Sequence, residues 1–487
     1  MSERSPIDIT AELCDEAAVL AGDGPAADAI AGVRARLFGP LRVAIAGRVN
    51  AGKSTLLNAL VGERLAPTDA GECTRLVTWY QEGIGYAVTA TLADGSTQPV
   101  PFTREDGALD LDIGGIGEID HLVVSWPSRR LQTMTLIDTP GIEGRDAARD
   151  ARARDFLGGG DGGSGEADAV IYLMRHLHQR DADFLETFTD RSLPHPSPSS
   201  AIAVLSRADE IGAGRLDSLA SAARIAARYA SDARVRTLSA AVLPVAGLIA
   251  ETAVTLQEQE VAALRSLATG AAEDREALLL SVDRFCAPGA ADVPAAVRRS
   301  LLARLGLFGV RYCIAQLADG RASSAADLSA LLTAASGIDE LIATLDELFA
   351  GRAAVLKART ALSALAAIVG QLADGGVAGA DAVAGAIERV QMGTAEFVAL
   401  RLTHLAMDPD VGLSDDELRE IERLTSPGGP AERLGLGPDA GRDEVRAAAL
   451  RGVATWRARA EHPLTAGSLA EACDLIVRSY EALYAAS

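Results

Sequence analysis

Lysine is nearly absent from this chain. Lys53 and Lys357 are the only two; every other strong base is Arg, and with 67 Asp and Glu against 46 Lys and Arg the formal net charge is −21. That balance argues against wrapping a nucleic acid, which needs a basic surface, and against plain electrostatic adsorption to anionic lipid. Aromatics are scarce, at 4 %, while Ala and Leu dominate the second half, which favours packed helices there over sheet. The five cysteines, Cys14, Cys73, Cys286, Cys313 and Cys473, are odd in number and far apart. They encode neither a disulfide framework nor a close-spaced metal motif, so a reducing cytosol is expected. No uninterrupted apolar run is long enough to span a bilayer; ALSALAAIV at 361–369 is too short. The opening MSERSPIDITAELCDEAA is acidic and polar and does not read as a signal peptide.

A length of 487 residues points to two to four domains. The stretch that organises them is LRVAIAGRVNAGKSTLLNAL, 41–60. An apolar run, 41–46, reads as a buried strand, and Gly47-Arg48-Val49-Asn50-Ala51-Gly52-Lys53-Ser54 fits the P-loop pattern, with Thr55 onward as a helix start. Glycines let the backbone curl so that its N–H groups face a phosphate. Lys53 supplies a mobile positive charge near the β and γ phosphates, and Ser54 offers a hydroxyl to Mg²⁺. The composition sharpens this: in a chain that avoids lysine, a surviving lysine invites a functional reading.

Partner motifs follow in order. After the first helix, 67–73 is a loop and 74–80 alternates into a strand, the place where a switch threonine binds Mg²⁺ and senses the γ phosphate. Thr68 and Thr74 are the candidates, and Thr74, at the strand entry, is favoured. MTLIDTPG, 134–141, is a strand ending in Asp138-Thr139-Pro140-Gly141. Asp138 there can hold a Mg²⁺-bound water, and Gly141 leaves an N–H for the γ phosphate. Residues 142–166 read as a loose second switch. SAIAVLSRADEIG, 200–212, is another strand and ends in Ser206-Arg207-Ala208-Asp209. A carboxylate at Asp209 pairs with the N1–H and amino group of guanine, which adenine lacks, while the stem of Arg207 packs on the ring. The usual form is Asn or Thr, Lys, any residue, Asp, so Ser206 and Arg207 depart from it at two positions. LSAAVLPVAGL, 238–248, reads as the last strand and a base-shielding loop.

These spacings predict an α/β P-loop GTPase domain over 41–250, a mostly parallel sheet flanked by helices with ligands at the strand carboxyl ends. N-terminal helices, 1–40, precede it and pack on the stalk or the GTPase domain. A helical bundle runs over 251–430, with helices read at 251–287, 293–318, 322–334 and 337–350 and a long seam near 353–373 built on Val355, Ala358, Leu362, Leu365, Val369 and Leu372. Ser414 to Glu417 form a capping box, and C-terminal helices, 431–487, return to the bundle.

Taken together, the 47–54, 138–141 and 206–209 motifs and the Ala/Leu-rich helical half resemble the bacterial dynamin-like proteins, most of all the actinobacterial isoniazid-inducible, IniC-like type. The helical half resembles this family best from LLARLGLFGVRYCIAQL to LKARTALSALAAI. The resemblance implies an elongated all-α stalk, GTP and GDP binding with Mg²⁺, and GTP hydrolysis. It implies G-domain dimerisation, with a second copy or a second dynamin-like protein, and membrane remodelling or maintenance from the cytoplasm or the inner face of the cell membrane. It carries over phosphate and nucleotide contacts to Gly47, Asn50, Ala51, Gly52, Lys53, Ser54 and Thr55, with Asp138, Gly141, Arg207 and Asp209. Mg²⁺ falls to Ser54, Thr74 and, through water, Asp138, and catalysis to Lys53, Thr74 and Asn50. Dynamins place a glutamine where this chain has Val49. Asn50 resembles its counterpart in the potassium-activated tRNA-modification and Era-like GTPases, which implies K⁺ beside the phosphates. Those regulatory GTPases, and a nucleotide-binding scaffold that does not hydrolyse, are the alternative readings. No nucleic acid is expected as a partner.

Overall fold

The computed structural model describes residues 5–66, 76–105, 108–141, 166–176, 181–182, 185, 200–236, 238–408, 411–426, 428–463, 465 and 467–487. Eleven strands are present among them: β1 Leu41–Gly47, β2 Val77–Glu82, β3 Ala87–Leu92, β4 Thr97–Pro99, β5 Phe102–Glu105, β6 Ala108–Leu111, β7 Ile119–Trp126, β8 Met134–Asp138, β9 Ala169–Met174, β10 Ala201–Ser206 and β11 Ala241–Val245. Nine of them form one sheet in the order β11-β10-β9-β1-β8-β2-β7-β3-β4, and β5-β6 is a separate hairpin. From β11 to β8 every neighbour runs parallel. β2 then joins β8 antiparallel.

The sequence explains which strands sit in the middle. β9 and β10 are buried at every residue, and β1 at all but Arg42. Both faces are covered by helices, so these strands read as continuous apolar runs and not as alternations. β7 alternates buried with partly exposed residues, as a one-sided strand does.

Two hydrophobic clusters share the sheet. One joins β9 and β10 to Val261, Leu264, Phe285, Leu301, Leu305, Phe308 and Leu332. The other joins β1 and β8 to Ile338, Leu341, Leu345 and Phe349. The helices from Gly247 to Leu348 therefore pack on the sheet, and the expected boundary at 250 falls inside this core. Amphipathic helices that cover a sheet and those that build a bundle show the same periodicity, so the strand-to-helix change at 250 marks composition and not packing.

A third cluster brings the N-terminal helices, Pro6–Ala21 and Pro25–Phe38, against Ala353–Asp374 and Ala380–Gly393. Leu362, Leu365 and Val369 of the expected seam are fully buried in it. Lys357 anchors the junction: its Nζ donates a 2.9 Å hydrogen bond to the Gly39 carbonyl at the turn into β1, and burial lowers its pKa. The remaining helices, Ala395–Met407, Asp415–Thr425, Arg442–Ala460 and Ser468–Ala486, close a fourth cluster around Trp456, Cys473 and Tyr480. The capping box at Ser414 and Glu417 is formed.

One expected helix is broken. Ala295–Ala318 is kinked at Gly306, whose φ of 65° and ψ of 175° interrupt the helical path. This helix and the stretch Ile338–Asp374 are long and apolar enough, by length and composition, to cross a membrane. Both supply core residues to the clusters just described, which accounts for their apolar composition.

Candidate functional site

The carboxyl ends of β1, β8 and β10 carry the motif residues to one edge of the sheet. At the end of β1, Gly47 takes a φ of 149°. A Cβ there would lie 2.5 Å from the Leu173 carbonyl oxygen, so β9 approaches too closely for any side chain. Asn50 adopts the left-handed conformation, with φ at 61°, which Asn tolerates better than most residues. Gly52, also left-handed at φ 94°, opens the helix Lys53–Val61 with no side-chain cap. The first N–H groups of that helix are thus left to the loop mouth, the arrangement that suits an anion.

Lys53 folds over this loop. Its Nζ lies 3.4 Å from the Gly47 carbonyl and 3.3 Å from that of Arg48. Beneath it, Ser54 Oγ donates a 2.8 Å hydrogen bond to Asp138 Oδ2. Register explains the meeting: β1 and β8 are adjacent and parallel, with Ile45 opposite Asp138. Burial pushes the Asp138 pKa up, against the opposing charge of Lys53 and the Ser54 hydrogen bond. Its second oxygen, Oδ1, is buried without a hydrogen-bond partner among the described residues. A hydroxyl and a carboxylate with one oxygen unspent suit a hard cation such as Mg²⁺, which keeps most of its ligands as water or phosphate.

Gly141 lies against the P-loop. A Cβ there would meet Val49 Cγ2 at 2.4 Å and Val49 Cα at 2.9 Å. Val49 thus occupies the space over Gly141. Asn50 is exposed beside it. Thr74 and Thr68 lie outside the described residues, as does most of the expected second switch, 142–165.

A second half of the site lies behind the loop. A cleft of 120 Å³ is lined by Ala51, Gly52 and Thr55, by Arg207 and Asp209, and by Leu248 among others. Its apolar walls are supplied by Leu173, Val204 and Val245. Gly247 and Leu248 directly follow β11, where the base-shielding loop was expected. Asp209 is only 5 % exposed. Desolvation pushes its pKa up to about 6, reinforced by the charge of Glu210 and opposed by Arg207 and Arg175. Arg207, left-handed at φ 53°, turns its guanidinium to Glu210 at 2.7 Å, and Arg175 pairs with the same carboxylate. Ser206, in place of the usual Asn or Thr, donates a 3.2 Å hydrogen bond to the Met174 carbonyl, tying β10 to β9.

The structure therefore brings Lys53, Ser54 and Asp138 together, sets Ala51, Gly52, Thr55, Arg207 and Asp209 around one cleft, and places Gly141 against Val49. Sequence reasoning missed Gly306. A Cβ on it would lie 3.4 Å from Asp209 Oδ2 and 3.7 Å from Leu248. The glycines of LGLFG, 305–309, were the only local signal.

Residues 42–197 match the family model of the 50S ribosome-binding GTPases. The isoniazid-induced protein IniC of Mycobacterium tuberculosis is 40 % identical over 461 residues, spanning 93 % of this chain and 92 % of that protein. A bacterial dynamin-like protein of Nostoc punctiforme is 30 % identical over 150 residues, 28 % of this chain and 20 % of that one. A solved structure described as an oligomerised bacterial dynamin pair aligns with 99 % of this chain and 74 % of its own, at 14 % identity and a TM-score of 0.31.

Proposed function

This chain belongs to the isoniazid-induced IniC family of bacterial dynamin-like GTPases, and on that premise we propose that it binds GTP with Mg²⁺, hydrolyses it, and couples the cycle to pairing of GTPase domains at a membrane. The observation that carries the reading is the Ser54 Oγ–Asp138 Oδ2 contact of 2.8 Å within reach of the Lys53 charge, with Asp138 Oδ1 unsatisfied among the described residues. A phosphate drawn to the helix N-terminus would exchange the two loop carbonyls now facing Lys53 for phosphate oxygens. Mg²⁺, when bound, neutralises charge on the β and γ phosphates. Ser54 would hold it directly and Asp138 through water, with Thr74 the third proposed contact. The amide of Gly141 faces the γ phosphate from the other side, kept close by its packing on Val49.

The base is read by Asp209. An ionised carboxylate accepts two N–H groups from guanine and none in that pattern from adenine. The stem of Arg207 covers the ring from the cleft wall. Hydrolysis is in-line attack by water, accelerated by positioning and by charge stabilisation. With Val49 in place of a glutamine, the water-ordering group must come from elsewhere. Asn50, exposed at the loop mouth, is proposed to hold K⁺ once two GTPase domains face each other, which would add positive charge beside the phosphates.

The core clusters support three units: a GTPase domain from Leu41 to about Phe349, a bundle of the N-terminal helices with residues 353–393, and a C-terminal helical unit from 395. Partner pairing and peripheral membrane attachment on the cytoplasmic side are proposed from membership of the dynamin-like family. Sedimentation with GTP, with GDP and aluminium fluoride, and without nucleotide, run beside vesicle flotation, tests the coupling. Nucleotide-dependent dimers that float with vesicles support it. A monomer in every state, with no flotation, moves the reading to a nucleotide-binding scaffold.

A further inference from the structure

The guanine-reading loop has a neighbour that belongs to no nucleotide motif. Residues 212, 213 and 214 form a run of left-handed conformations, with φ of 66°, 62° and 67°. The middle one, Ala213, adopts this conformation at a steric cost that glycine does not bear. Such a run needs external support, and the kinked helix Ala295–Ala318 provides it. Arg311 Nη1 donates to the carbonyls of Ala213 and Gly214 at 3.0 and 2.6 Å. Its Nε and Nη2 donate to the Leu279 carbonyl at 3.0 and 2.6 Å, and Nη2 reaches that of Leu280 at 3.3 Å. All five bonds end on backbone carbonyls. The guanidinium fork thus clamps the loop after Asp209 to a separate segment, 279–280, a geometry an ammonium cannot reproduce.

One turn earlier in the same helix, the break at Gly306 brings the backbone up against the carboxylate itself. Its φ and ψ lie in a region essentially reserved for glycine. A side chain there would also stand 3.4 Å from Asp209 Oδ2. The approach continues at Gly214, where a Cβ would lie 3.2 Å from the Phe308 amide nitrogen. Phe308 is itself buried in the sheet-covering core, so this wall cannot retreat without disturbing that core.

We propose that the kinked helix is part of the guanine site: Gly306 shapes the space behind Asp209, and Arg311 is a positioning residue that fixes the 207–214 loop, so that base selectivity depends on a helix far downstream of the nucleotide motifs. The proposal rests on the GTP-binding reading above. Neither residue lines the cleft beside Asp209. Arg311 acts through the loop, and Gly306 through the Asp209 carboxylate. The hydrogen bonds described for Lys53, Ser54 and Asp138 in the phosphate half of the site involve neither residue.

That separation supplies the test. Affinities for GDP and ADP are measured by titration for wild type, Arg311→Ala, Arg311→Lys and Gly306→Ala, with cooperative thermal unfolding recorded for each. Wild type is expected to prefer GDP strongly. Arg311→Ala and Gly306→Ala are expected to lose about tenfold or more in GDP affinity while ADP affinity, set by the phosphate cradle, stays within about twofold. Arg311→Lys is expected to recover only part of the preference. An equal fall in both affinities marks general damage to the fold and overturns the assigned role. An unchanged GDP-to-ADP ratio in the variants overturns it too. Should Arg311→Ala not fold, Arg311→Lys and Gly306→Ala carry the same comparison. A wild-type protein with no GDP preference instead contradicts the GTP reading, so the two failures are told apart.

Discussion

Ser54 and Asp138 stand 84 residues apart in sequence, yet their side chains meet at 2.8 Å. The contact joins the first turn of the P-loop helix to the end of β8, and Lys53 lies above both. Removing either partner separates two effects. Ser54→Ala is expected to abolish Mg²⁺-dependent GTP turnover while leaving a folded protein. The Mg²⁺ dependence of GDP affinity reads the same loss without relying on turnover: it should vanish in Ser54→Ala and persist in wild type.

The base half of the site carries a pH signature. Asp209 has its pKa raised from 3.8 to about 6 by burial. Guanine needs the ionised form, so GDP affinity is expected to fall by about tenfold per unit as pH drops below about 6. Stability of the nucleotide-free protein runs the other way. A carboxylate whose folded pKa exceeds its unfolded one favours folding below the unfolded value, and that contribution is lost as pH rises from about 4 through about 6. Asp209→Asn is therefore expected to lose GDP preference and to be more stable than wild type at pH 7 to 8, by about 1–3 kcal/mol. Calorimetric titration and thermal melts over pH 5 to 8 check both halves. A GDP affinity flat across that range counts against Asp209 as the reader.

Val49 and Gly141 are expected to behave as a coupled pair. Gly141→Ala drives a methyl into Val49 and should displace the loop or the γ-phosphate amide, slowing GTP turnover roughly 10- to 100-fold. Val49→Ala should restore part of the rate in the double variant, because Val49 Cγ2 is the nearest atom at 2.4 Å. Recovery is incomplete, because backbone Val49 Cα remains at 2.9 Å. Additive effects in the double-mutant cycle would show that the packing does not matter to the rate.

Asn58 is buried at the far end of the P-loop helix and organises the chain just before the switch segment. Its Oδ1 accepts from the amides of Leu65 and Ala66 at 2.8 and 2.7 Å, and its Nδ2 donates to the Ala66 carbonyl at 3.1 Å. Glu251, paired with Arg64 at 2.9 Å, backs it. Asn58→Ala leaves buried amides without acceptors and is expected to cost about 1–3 kcal/mol of stability, read as a shift in denaturation midpoint.

That the candidate site residues meet at one end of the sheet was legible because each lies in a short string. The runs 47–54, 138–141 and 206–209 each lie at one strand end, where a single loop fixes the geometry, and the strands themselves were readable as apolar runs. What could not be read depends on contacts between distant segments. Gly306 approaches Asp209 from a helix whose Leu and Ala pattern runs evenly through the break, so the kink leaves only a glycine as its trace. The packing of the helices after 250 on the sheet was hidden for a related reason. Helices 258–348 present apolar stripes that suit a sheet as well as a bundle, and only packing against β9, β10 and β1 distinguishes the two. The Lys357 hydrogen bond to Gly39 shows the converse. A rare residue drew attention in the sequence, and its place turned out to be a junction between units.

The central claim is tested most directly by phosphate release from GTP and from ATP, in K⁺ buffer with Mg²⁺, for wild type and Lys53→Ala. The account predicts turnover of GTP and not of ATP, reduced at least about a hundredfold in Lys53→Ala, with the variant still cooperatively folded. Equal turnover of GTP and ATP, or GTP turnover that survives in the variant, would contradict it.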